Sequence, residues 1–127
     1  RSDVEAVFAN LPPDSRARAC LTEPLDYPGL ITVLARCHFT LTDSGGIQEE
    51  ASALGRPVLI ARDSTERQEL VQAGGARLVG TDRARIVKEA GRLLDDPVLH
   101  RAMQLSTSPF GDGHSAERIA DILSQPA

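Results

Sequence analysis

Short apolar runs alternate with amphipathic stretches along this chain. Residues 17–21, 39–41, 57–60 and 76–79 are apolar runs bounded by polar or glycine-rich turns, and we predict a strand in each. The run at 57–60 is apolar throughout, which is typical of a parallel strand buried on both faces. Strands that alternate with helices predict an α/β domain with a mostly parallel sheet and right-handed crossovers.

Apolar residues at helical spacing predict the helices that surround this sheet. The predicted helices cover residues 3–9, 28–37, the acidic stretch before Gly55, 66–73, the stretch after Asp82, 98–105 and 115–123. We expect the helix after Asp82 to bury an inner stripe, namely Ile86, Val87, Ala90, Leu93 and Leu94. We expect the last helix to pack through Ile119, Ile122 and Leu123.

Composition narrows the class of protein. A chain of 127 residues suits a single domain, and 41% hydrophobic residues are enough for one core. A net charge of −4 gives no basic surface for nucleic acid. No apolar run approaches the roughly 20 residues of a membrane span, and no secretory signal is visible. We expect no membrane association and a cytoplasmic location.

The two cysteines, Cys20 and Cys37, follow no metal-binding spacing. We interpret them as reduced, buried thiols, because stable disulfides are rare in the cytoplasm. We therefore expect no metal site and no cofactor.

The turn at residues 43–46, Asp-Ser-Gly-Gly, is the first candidate for chemistry. It joins a predicted strand to a predicted helix, so that backbone N–H groups and the positive end of the helix dipole would face a ligand. Gly45 and Gly46 would let a phosphate approach the backbone, and Ser44 offers a hydroxyl. An ordinary glycine turn with Asp43 or Ser44 as the helix cap is the structural alternative.

Two further loops are expected beside this turn. Ligands of parallel sheets bind outside the carboxyl ends of the strands, where the loops 42–46, 61–68 and 80–82 would emerge. Arg67 in the second loop could bind phosphate through its guanidinium group, unless the loop is only a solvated one with internal ion pairs. The adjacent carboxylates Glu49 and Glu50 point about 100° apart on a helix, so we expect only one to face these loops.

The combination of these motifs resembles one family. Residues 41–80 read LTDSGGIQEEASALGRPVLIARDSTERQELVQAGGARLVG, and PLDY at 24–27 and PFGDG at 109–113 flank them. Together they resemble the nucleotide-binding domain of non-hydrolysing UDP-N-acetylglucosamine 2-epimerases. The resemblance implies the C-terminal half of a two-domain, GT-B-like architecture, here a partial Rossmann-like sheet with flanking helices over residues 1–127.

The resemblance also implies a function and a set of site residues. The family converts UDP-GlcNAc to UDP-ManNAc by eliminating UDP and adding it back, without a cofactor. Ser44, Gly45 and Gly46 would hold the diphosphate, Glu50 the ribose hydroxyls and Arg67 the phosphate region. Leu30 would lie near the uracil, where the family often has an aromatic residue.

Several family elements have no counterpart in this sequence. The groups that move the proton at C2 come chiefly from the family's N-terminal domain, so we expect no catalytic residue in this chain. We expect a fragment that is inactive by itself, that pairs with the N-terminal domain of the same enzyme and that forms a homodimer. Two rival functions are the donor domain of a related glycosyltransferase and a non-catalytic nucleotide-binding module.

Overall fold

The computed structural model describes residues 2–126. In this range the strands are β1 Thr40–Thr42, β2 Val58–Ile60 and β3 Ala76–Leu78. The helices are α1 Ser2–Ala9, α2 Pro13–Ala17, α3 Tyr27–Arg36, α4 Gly45–Ala53, α5 Gln68–Gln72, α6 Arg83–Asp95, α7 Pro97–Met103 and α8 Ser115–Leu123. The chain divides into two compact units, one that ends at Leu30 and one that begins at Ile31. The single domain predicted over residues 1–127 stays a prediction, and it includes Arg1 and Ala127, which lie outside the described residues.

The sheet has the order β1-β2-β3, and both pairs of neighbouring strands are parallel. The apolar runs after residue 38 therefore predicted the strands to within one or two residues. The crossover from β1 to β2 contains α4, and the crossover from β2 to β3 contains α5. The α/β class with a parallel sheet and flanking helices is confirmed.

The core is built around the central strand. All three residues of β2 have an exposed fraction of 0%, because β2 is paired on both edges and covered on both faces. Its Leu59 packs with Val79 from the end of β3, Leu93 from α6 and Met103 from α7. Phe39, Ile86, Ala90 and Leu99 pack against this cluster from its margin.

A stacked pair of histidines ties two helices to the start of β1. The rings of His38 and His100 lie 3.7 Å apart and are nearly parallel, at 5°. His100 Nε2 lies 2.7 Å from the His38 carbonyl oxygen, and His38 Nε2 lies 3.1 Å from the Leu93 carbonyl oxygen. Because a carbonyl oxygen can only accept, both Nε2 atoms act as donors.

The strand predicted at 17–21 was wrong. Pro13 occupies the first turn of α2, where proline is favoured, and this helix takes the chain to Ala17. No strand lies among residues 2–30, and the backbone of 18–21 forms a turn followed by irregular structure. The prediction of a buried Cys20 thiol was wrong for the same reason, since Cys20 is exposed. Cys37 is partly buried, and both thiols are free.

Two helices bury less than their apolar pattern suggested. On α6, Leu93 is buried and Ile86 and Ala90 are partly buried, but Val87 and Leu94 are 63% and 64% exposed. The buried face of α6 is therefore narrower than predicted. On α8 the predicted packing was wrong, because its apolar residues are exposed, namely Ile119, Ile122 and Leu123.

Adjacent leucines on α6 give a matched test of this core. We expect Leu93→Ala to lower the free energy of unfolding by about 2–5 kcal/mol, because it empties a buried side-chain site. Leu94→Ala should change it by less than about 0.5 kcal/mol, because Leu94 is largely exposed. Urea denaturation followed by circular dichroism measures both values. Equal losses for the two variants would contradict the described packing of α6.

Candidate functional site

The parallel register brings three loops to one edge of the sheet. Thr42, Ile60 and Leu78 are aligned across β1, β2 and β3, and each is the last residue of its strand. Hydrogen bonds continue one step past the strands, from Ala61 N to the Thr42 carbonyl and from Val79 N to the Ile60 carbonyl. The prediction that the three loops emerge together is confirmed.

Ser44 caps the helix that follows β1. Its backbone is extended, with φ −84° and ψ 125°, and its hydroxyl accepts a hydrogen bond from Ile47 N at 3.4 Å. Ser44 N in turn donates to Thr42 Oγ1 at 3.0 Å, which fixes the turn to the end of β1. Gly45 and Gly46 follow as the first two residues of α4, so their N–H groups precede the first intrahelical hydrogen bond.

Arg67 lies against this helix terminus, on the neighbouring loop. A Cβ placed on Gly45 would lie 3.2 Å from Glu66 Oε1 and 3.3 Å from Cζ and Nη2 of Arg67. The absence of a side chain at residue 45 therefore leaves room for both the Arg67 guanidinium and the Glu66 carboxylate beside the first turn of α4. The structure thus brings together Arg67 and the Gly45 turn, which are 22 positions apart in the sequence.

Carboxylates hold the Arg67 guanidinium from two sides. Nε lies 2.6 Å from Glu49 Oε1, and Nη1 lies 3.4 Å from Glu66 Oε1. Glu66 also pairs with Arg62 at 3.1 Å. The internal ion pairs that the sequence offered as an alternative reading of this loop are therefore present. Of the two adjacent acids on α4, Glu49 contacts the loop through Arg67.

The surroundings of Glu66 lower the pKa of its carboxyl. The main cause is the hydrogen bond from its own backbone N–H, and the positive charges of Arg62 and Arg67 act in the same direction. Glu66 is therefore ionised over a wider pH range than a free glutamate, and the cluster keeps alternating charges.

Two residues that the sequence reasoning missed anchor the same loop. Thr65 and Gln48 are 5% and 0% exposed, and Thr65 Oγ1 donates to Gln48 Oε1 at 2.9 Å. Arg67 N donates to Thr65 Oγ1 at 3.0 Å. Nothing in the sequence pattern marked them, because a polar residue in a polar loop or an acidic helix gives no sign of burial.

Glu50 lines a neighbouring cavity of about 570 Å³. One wall comes from α4, through Glu49, Glu50 and Ala53, and the other from the loop at 108–113. Asp112 in this loop pairs with Arg118 of α8, and this hydrogen bond, with one from His114 N, lowers the pKa of the Asp112 carboxyl. The loop therefore has a defined conformation beside Glu50.

Leu30, the remaining predicted site residue, lies on α3. It is partly buried, it ends the first compact unit, and its N–H donates to the Asp26 carbonyl at 2.9 Å. Its role near a base stays a prediction. Within residues 2–126, no group of three or more potential ligands could hold a metal ion, and no helix is long and apolar enough to cross a membrane.

Comparisons with known proteins agree on one family. A family model described as UDP-N-acetylglucosamine 2-epimerase matches residues 1–124. The UDP-N-acetylglucosamine 2-epimerase of Escherichia coli K12 is 50% identical over 103 residues, which cover 81% of this chain and 27% of the relative. The chain therefore spans about a quarter of the length of this relative.

Solved structures give the same result. The UDP-GlcNAc 2-epimerase of Neisseria meningitidis bound to UDP-GlcNAc is similar with a TM-score of 0.76 and 40% identity, over 81% of this chain and 28% of that one. The Methanocaldococcus jannaschii UDP-GlcNAc 2-epimerase in complex with UDP-GlcNAc and UDP is similar with a TM-score of 0.74 and 34% identity. That match covers 96% of this chain and 32% of the other.

The lowered pKa of Glu66 predicts a pH dependence. A carboxyl whose pKa is depressed on folding, here below 4.5, contributes stability above that value and loses it as the pH falls through the folded pKa. Glu66→Gln should therefore lose less stability than the unaltered protein between about pH 6 and pH 3. Urea denaturation at several pH values measures this difference.

Glu69→Gln is the matched control for this experiment. Glu69 is exposed on α5. Its variant removes one carboxylate and leaves the contacts of Glu66 in place, so it controls for the change in composition. If Glu66→Gln lost as much stability as the unaltered protein when the pH falls, the hydrogen bonds and ion pairs of the Glu66 carboxylate would contribute nothing to the folded state.

Proposed function

The chain belongs to the UDP-N-acetylglucosamine 2-epimerase family, and on this premise we propose that it supplies the UDP-binding part of such an enzyme. The proposed reaction converts UDP-GlcNAc to UDP-ManNAc. UDP leaves C1 as the proton at C2 is removed, and it returns while C2 is protonated from the other face. The chain spans 27% of its E. coli relative, and we propose this activity for an enzyme of the family's full length, not for the chain by itself.

The observation that carries the proposal is the Arg67 guanidinium beside Gly45, at the N-terminus of α4. The first N–H groups of a nine-residue helix and the Arg67 guanidinium lie close together, and a phosphate would replace the Glu66 carboxylate that lies beside them. A diphosphate has several acceptor oxygens close together, which such an arrangement can bind. Ser44 sets the geometry of the turn, and we assign Ser44, Gly45, Gly46 and Arg67 to the diphosphate.

The cavity next to Glu50 fits the nucleoside side of the ligand. A carboxylate accepts hydrogen bonds from paired ribose hydroxyls, as acidic residues do in dinucleotide-binding folds. Glu50 lines a space of about 570 Å³ that also borders Phe110, so it offers both an acceptor and an apolar surface. We therefore assign Glu50 to the ribose. Leu30 remains a candidate for the uracil on the family resemblance alone.

The reaction makes two demands on this part of the protein. Negative charge grows on the phosphate as the C1–O bond breaks, and fixed donors stabilise that charge because they do not have to reorganise. Free UDP must also stay in place until it adds back, and the contacts of both phosphate and ribose serve this purpose.

Other groups complete the proposed enzyme. We assign the proton transfer at C2 to residues of an N-terminal domain of the same protein. We assign no catalytic residue to this chain. That domain, a homodimer and a cytoplasmic location stay predictions of the sequence.

Titration with UDP tests the proposed site. The 127-residue chain, labelled with ¹⁵N, should bind UDP, and the amide signals of Gly45, Gly46 and Ile47 should shift. Arg67→Ala should weaken binding by about 10- to 100-fold, the equivalent of one charge-assisted hydrogen bond. Arg83→Ala, at the exposed start of α6, is the matched control and should bind as the unaltered chain does.

Three outcomes would contradict parts of this proposal. No binding at millimolar UDP would overturn the nucleotide site and favour a non-catalytic module. Binding that is unchanged in Arg67→Ala would remove Arg67 from the site. Epimerisation at C2 by this chain alone would show that the groups that move the proton lie within it.

A further inference from the structure

Gln48 and Thr65 form a buried polar pair next to the proposed site. They are 0% and 5% exposed, although neither is an apolar residue. Burying a polar group is unfavourable unless it forms hydrogen bonds, and here the 2.9 Å bond between Thr65 Oγ1 and Gln48 Oε1 provides one. The bond joins α4 directly to the loop that follows β2.

The Thr65 hydroxyl makes a second bond, which reaches the arginine. Thr65 Oγ1 accepts from Arg67 N at 3.0 Å while it donates to Gln48. A hydroxyl can do both at once, because it has one hydrogen and two lone pairs. The Thr65 Oγ1 atom therefore links the backbone of Arg67 to Gln48 on α4.

An exposed ion pair also joins the Arg67 side chain to α4. Glu49, the residue after Gln48, binds Arg67 Nε at 2.6 Å, and Nη2 lies on the side of Gly45. The Glu49 side chain is 47% exposed, so water and salt weaken its ion pair. The Thr65–Gln48 bond is buried, the bond from Arg67 N to Thr65 is partly buried, and both join uncharged groups, so salt weakens them less. They are therefore the more durable of the two attachments.

We propose that Thr65 and Gln48 are positioning residues that hold Arg67 over the Gly45 turn, ready for the diphosphate. This inference rests on the proposed function, because it concerns the affinity of that site for UDP. The physical gain is preorganisation. The guanidinium does not have to find its place after the ligand arrives, and the entropy of ordering the loop is lost on folding instead of on binding.

Paired substitutions at Thr65 test the proposal. UDP is titrated into the 127-residue chain, and binding is monitored through the amide signals of Gly45 and Gly46. Thr65→Val keeps the shape but loses the hydroxyl, and it should weaken UDP binding by roughly three- to tenfold, the equivalent of one neutral hydrogen bond. Thr65→Ser keeps the hydroxyl and should restore the affinity. Thermal unfolding of each variant is measured in parallel.

A double-mutant cycle with Arg67 separates positioning from a general structural role. If Thr65 acts through Arg67, Thr65→Val should have no further effect on UDP binding in the Arg67→Ala background. Gln48→Met offers the same comparison where Thr65→Val does not fold. It removes the acceptor at similar volume and also removes Nε2, which is buried without a partner among residues 2–126.

The outcomes are distinct. Unchanged UDP affinity in folded Thr65→Val or Gln48→Met would overturn the positioning role alone. An equal loss in the unaltered and Arg67→Ala backgrounds would also overturn it, because the effect would not pass through the arginine. If the unaltered chain bound no UDP, the proposed function would fail first and this inference with it.

Discussion

The parallel pairing of three short strands determines where a ligand can bind. β2 is hydrogen-bonded along both edges, and its side chains have no exposure on either face, so nothing can approach it except at its ends. Because all three strands run in the same direction, their carboxyl ends share one edge, and Thr42, Ile60 and Leu78 end there in register. The loops that follow are neighbours for this reason, whatever their sequences, and their side chains only decide what they bind.

The sequence predicted those features that require a regular apolar pattern or a particular backbone conformation. The continuous apolar run of β2 and the glycine turn before α4 each leave a local signature, and both were predicted closely. The buried pair of Gln48 and Thr65 leaves none, because its burial depends on a loop packing against a helix 17 positions away. The exposed face of α8 was missed for a related reason, since an amphipathic pattern shows which face is apolar but not whether the chain provides a partner.

Exposed ion pairs and a buried hydrogen bond between uncharged side chains both order the loop at 61–67. The ion pairs of Arg62, Glu66 and Arg67 lie largely in water, where such pairs contribute little to stability. The buried Thr65 hydroxyl would leave unpaired groups behind if it were lost, which typically costs about 1–3 kcal/mol. The loop conformation is thus set from inside, and the surface charges are left available for exchange with an incoming anion.

The charge around the Gly45 turn has a kinetic consequence. Arg62 and Arg67 are paired with Glu49 and Glu66, and Arg83 and Arg85 at the start of α6 lie at the same edge as the aspartates that follow the three strands, Asp43, Asp63 and Asp82. Because positive and negative side chains alternate around this edge, it presents no surface of a single charge that would attract anions over a long distance. An anion therefore meets hydrogen-bond donors here only at short range, and the shape of the site, rather than its net charge, determines which phosphate-bearing molecule it can hold.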